Sequence, residues 1–81
     1  MTLDDAIRIA KEEVKDKTAL VYLNAIPQAI EGYGTEGLES QLMYALCNMK
    51  NWRGSIARDA KAVMNKWLKE FRKNAKTSVV A

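Results

Sequence analysis

From residue 55 to residue 76 the chain carries neither Gly nor Pro, and its apolar residues recur at three- and four-residue spacings. Ile56, Ala57, Ala60, Val63, Met64, Trp67, Leu68 and Phe71 share one arc of a helix, while Arg58, Lys61, Lys66, Lys69, Arg72, Lys73 and Lys76 occupy the other. A strand alternates faces at every residue and would scatter this apolar set, so the run predicts a helix over 56–76 with Ser55 as its N-cap. Cations toward its end complement the helix dipole. The remaining residues must supply the surface that covers it.

They read as helices too. Thr2 and Asp5 have capping-box spacing, and Leu3, Ile7, Ala10, Val14 and Val21 form a narrow stripe, predicting a helix over 3–22. Pro27 breaks a continuous helix, and Asn24 upstream suits an N-cap, so a short Pro-containing helix is expected over 25–31, stopped by Gly32. A third long helix, over 36–50 with Thr35 as N-cap, carries Leu38, Leu42, Ala45, Leu46 and Met49 on its core face. Its other side holds Met43, Tyr44 and Cys47 beside Ser40, so it is apolar over much of its circumference. Such a helix is either central in a bundle or buried between subunits. Residues 77–81 are left as a tail.

The expected fold is therefore a single all-α domain over 1–81, a small bundle of three long helices plus the short one. At 81 residues its own core supplies only about 3–5 kcal/mol. Self-association as a homo-oligomer is expected on that ground, with Met43, Tyr44 and Cys47 as its interface.

Residues 32–37, Gly-Tyr-Gly-Thr-Glu-Gly, satisfy the dinucleotide-binding pattern G-x-G-x-x-G in form alone. That motif needs a preceding strand and an acidic ribose partner, and the preceding segment here is helical and Pro-broken. The run is read as a turn between helices.

Function classes narrow by elimination. The chain has no His and one Cys, which leaves no Cys/His or Ser/His pair, no intramolecular disulfide and few ways to hold a metal. Cys47 has no activating base and is expected as a small, half-buried hydrophobe. No carboxylate pair sits in an apolar setting suited to acid–base work. We therefore expect a non-enzymatic protein that needs no metal or cofactor. The acidic N-terminus is unlike a signal peptide and no apolar run could span a bilayer, so a cytoplasmic protein with no membrane role is expected.

Charge is the strongest functional feature. The net +3 divides into −4 over residues 1–49 and +7 over residues 50–81. Such blocks attract one another within a monomer, pair head to tail, or present a basic face to an anionic partner. The candidate partner- or anion-binding residues are Arg58, Lys61, Lys66, Lys69 and Lys73 of the last helix, with Trp52 and Arg53 in the turn before it. An indole, a guanidinium and free N–H groups at a helix start suit a phosphate or a base, with Tyr33 as a further stacking candidate. The alternative for Trp52 is a core plug under the turn, with Arg53 capping the preceding helix.

The run YALCNMKNWRGSIAR, residues 44–58, resembles a pattern in small helical proteins encoded by bacteriophages, prophages and related mobile elements. The likeness rests on Asn-Met-x-x-Trp-Arg-Gly-x-x-Ala, residues 48–57, and on chain size. It implies an accessory protein that binds or inhibits a host macromolecule, sequesters a signalling nucleotide, or binds nucleic acid, and it carries no residue roles. Two expectations result. The first is a host-protein binder acting as a homo-oligomer; the alternative is a nucleic-acid or nucleotide binder using the basic last helix and the Trp52/Arg53 turn.

Overall fold

The structure, a computed structural model, describes residues 1–80, with side chains described for residues 1–74; the tail expected over 77–81 lies outside the latter. Five α-helices and no strand are found among these residues: α1 (Leu3–Glu13), α2 (Lys17–Asn24), α3 (Ile26–Tyr33), α4 (Thr35–Cys47) and α5 (Ser55–Val80). The all-α class is as expected, but the three long helices are not: α5 alone is long, and it continues past residue 76.

α1 opens on the capping box. Thr2 Oγ1 accepts from the Asp5 N–H at 3.1 Å, and the Asp5 carboxylate accepts from the Thr2 N–H at 3.2 Å. The Thr2 N–H above all, then the Thr2 hydroxyl and the Arg8 guanidinium, hold the Asp5 carboxyl below its ordinary pKa.

The helix expected over 3–22 is broken at residues 14–16. Val14 is extended (φ −70, ψ 130) and buried, and the Asp16 carboxylate accepts from the Ala19 N–H at 2.9 Å, capping α2. A short Asp side chain competes for the backbone N–H groups of the next turn and so favours a new start over a continued helix. The break shifts the helical phase: Ala19 and Leu23 turn inward, and Val21, assigned to the core stripe, is 64% exposed. Asp16→Ala should cost about 1 kcal/mol, seen as a lower urea midpoint at unchanged slope; an unchanged midpoint would mean the cap does not hold the break.

Asn24 stays inside α2 rather than capping α3, which starts after Ala25 with Pro27 in its first turn, where a missing N–H is tolerated. α3 runs through Gly32 and stops at Gly34, whose φ of 66 and ψ of −142 are open essentially to glycine alone. Gly34, not Thr35, is therefore the N-cap of α4. The result is a helical hairpin in which Gly37 is buried against the Ala29 backbone.

α4 is the centre of the bundle. α3 and α2 pack closely on it, α5 runs along a further side with far less contact, and α1 packs on α5. This position buries Leu42 and Ala45 of α4, while Tyr44 and Cys47 stay exposed. Leu23, Leu42, Met49 and Met64 fill the core, and Ala6, Ala10, Ala45 and Ala60 let the helices close around them. α4 ends at Cys47, short of residue 50, where Asn48 Nδ2 donates to the Tyr44 carbonyl at 2.9 Å. On α5 the buried line is Ala57, Ala60, Met64 and Leu68; Ile56, expected with them, is exposed at the first turn.

Candidate functional site

The connection from α4 to α5 places Trp52 over the ends of three elements. The Trp52 side chain is 9% exposed, and its indole N–H donates to Glu13 Oε1, at the end of α1, at 3.2 Å. The Lys61 ammonium donates to the Trp52 carbonyl and lies 5.9 Å from the indole centroid, over the ring. This is the core-plug geometry, with the indole largely covered; what remains accessible of Trp52 lines an open cleft of about 440 Å³ together with Arg53, Arg58 and Lys61. Arg53 beside it is exposed and makes no hydrogen bond among the described residues, so the turn's carbonyl is met by Lys61 rather than by Arg53.

Tyr33 is 78% exposed at the end of α3. It stands at the opposite end of α4 from Trp52, and the 13 residues of α4 span about 20 Å. The two stacking candidates therefore belong to no common site. The three interface candidates also separate. Tyr44 leans on α2, its ring 5.3 Å from that of Tyr22, whereas Met43 and Cys47 face α5. Cys47 is exposed, not half-buried as expected.

Where α4 and α5 fail to close, they leave an open groove of about 700 Å³. Met43, Leu46, Cys47 and Leu68 give it an apolar floor, Asn65 lies midway along it, and Lys50, Lys61, Lys69 and Arg72 stand around it. Two of these cations are engaged: Lys61 with the Trp52 carbonyl, and Arg72 with Glu39 at 3.9 Å and with the Met43 sulfur. Lys50 and Lys69 are exposed and make no ion pair among the described residues. Of the basic residues singled out from the sequence, Lys61 and Lys69 thus belong to the groove. Arg58, Lys66 and Lys73 lie exposed on α5 outside it.

Lys50 and Arg72 are groove residues that the sequence reading did not select as a site. The signal was present as two stripes at helical spacing, 43/46/47 on α4 with Lys50 just past its end, and 61/65/68/69/72 on α5. Their apposition depends on how the helices pack.

No group of three or more His, Cys, Asp or Glu that could hold a metal ion occurs among the described residues, and no helix described is long and apolar enough to cross a membrane. No protein-family model, curated protein or solved structure matches this chain.

Proposed function

We propose that this is a non-enzymatic interaction protein that binds an acidic protein partner, a host protein in the setting that the 48–57 resemblance implies. The observation that carries the reading is the α4–α5 groove, in which an apolar floor is ringed by four cations, three of them, Lys50, Lys61 and Lys69, without an ion-pair partner among the described residues. Charge of one sign lining an apolar cleft raises the local concentration of the opposite charge and orients it on approach. The charged side chains described all remain at least partly exposed, a state suited to recognition more than to the desolvated, pKa-shifted groups of general acid–base catalysis.

A nucleic-acid reading has its own support in Arg58, Lys66 and Lys73, which extend the basic surface along α5 beyond the groove. Titration of the protein with a fluorescent polyglutamate and with a duplex DNA, at matched ionic strength, separates the two. The acidic polypeptide is expected to bind and to weaken with salt. Tighter binding of the duplex, with a log–log salt slope of several units, would transfer the function to nucleic acid.

A further inference from the structure

We propose, resting on that reading, that the α4–α5 groove receives an acidic amphipathic helix from a partner protein. The argument is one of length, chemistry and exclusion.

Along α5 the groove runs from Lys61 to Arg72, eleven residues on, or about 16 Å at 1.5 Å per residue. That length matches a helix of about three turns, which presents one apolar stripe at i, i+3 and i+7. The floor meets such a stripe with Met43, Leu46, Cys47 and Leu68. Met and Cys are soft and adaptable surfaces for packing against it. Carboxylates flanking the stripe would meet Lys50 at one end and Lys69 toward the other.

Other occupants fit less well. A symmetric dimer across this groove would bring Lys50, Lys61, Lys69 and Arg72 of both copies together, and like charges there oppose it. The acidic helix of a second copy, α1, has Ala6, Ile7 and Ala10 buried in its own core and so lacks a free apolar stripe. A nucleic-acid strand finds phosphate contacts but no aromatic platform, because no aromatic ring lines the groove.

The test is fluorescence anisotropy with a labelled peptide of about 12 residues bearing Leu at i, i+3 and i+7 and mostly Glu elsewhere. Its isomer, with the Leu residues dispersed around the helix, is measured beside it, as are polyglutamate of the same length and a duplex DNA. The amphipathic peptide should bind about tenfold tighter than its isomer and gain helical circular dichroism on binding. Lys50→Glu with Lys69→Glu, or Cys47→Glu alone, should weaken it about tenfold, whereas Lys66→Gln should leave it within about twofold. Equal binding of peptide, isomer and polyglutamate would overturn the helix-in-groove inference while leaving the acidic-partner function standing. Binding of the duplex with none of the acidic peptides would overturn both.

Discussion

Replacing Gly37 by alanine is expected to remove about half or more of the domain's stability. A Cβ at this position would stand 2.2 Å from the Ala29 carbonyl oxygen and 2.6 Å from its carbon, both backbone atoms of the facing helix. Backbone cannot rotate aside as a side chain does, so relief requires α3 to part from α4 along their tightest contact. Overpacking of that kind costs about 3 kcal/mol or more when it must move a whole helix. Alanine's better helix propensity returns at most about 1 kcal/mol. Set against a core worth about 3–5 kcal/mol, the clash decides the sign. Gly32→Ala is the control: it lies inside α3 with open space around it, and should raise stability by about 0.4–1 kcal/mol. Parallel urea titrations of the two variants read both effects, and a Gly37→Ala protein as stable as the parent would mean the helices do not approach this closely.

Trp52→Ala should cost about 3–5 kcal/mol, comparable to the whole stability of the chain. The indole is where α1, the 48–54 connection and the start of α5 meet, so its loss removes packing from all three at once. Trp52→Phe keeps most of that packing and loses the N–H donor to Glu13. Because Glu13 is exposed and regains water, this variant should lose only about 1 kcal/mol. The contrast between the two variants in thermal melts separates a plug from a ligand platform. A folded Trp52→Ala protein with an unchanged melting temperature would make Trp52 a surface residue.

Much of this was legible in the order of residues. The Thr2/Asp5 capping box, the punctuation around Pro27 and the glycines, and the long amphipathic run after Ser55 each act through local sterics or hydrogen bonds, which the sequence displays directly. The break at residues 14–16 is also local: Asp16 before Lys-Thr-Ala-Leu has the form of an N-cap, but the stripe running on to Val21 predicts continuity. The stripe misled because two short helices of different phase can imitate one long helix over five or six apolar positions.

The site was less legible. Sequence places Lys61 and Lys69 on a basic face and Met43 and Cys47 on an apolar one, but these are faces of different helices. That they border one groove follows from α4 being occupied by α2 and α3 on its other sides, so that α5, held mainly by α1, meets it only loosely. The same packing buries Trp52 and keeps Tyr33 at the far end of α4.

The sequence by itself determined which segments are helical and where charge of each sign accumulates, because propensity, capping and periodicity operate over three or four residues. Only the tertiary structure decided which glycine tolerates no side chain, which aromatic becomes core, and which two stripes face each other across open space. Those outcomes depend on distances between residues far apart in the chain, and such distances exist only once the helices have packed.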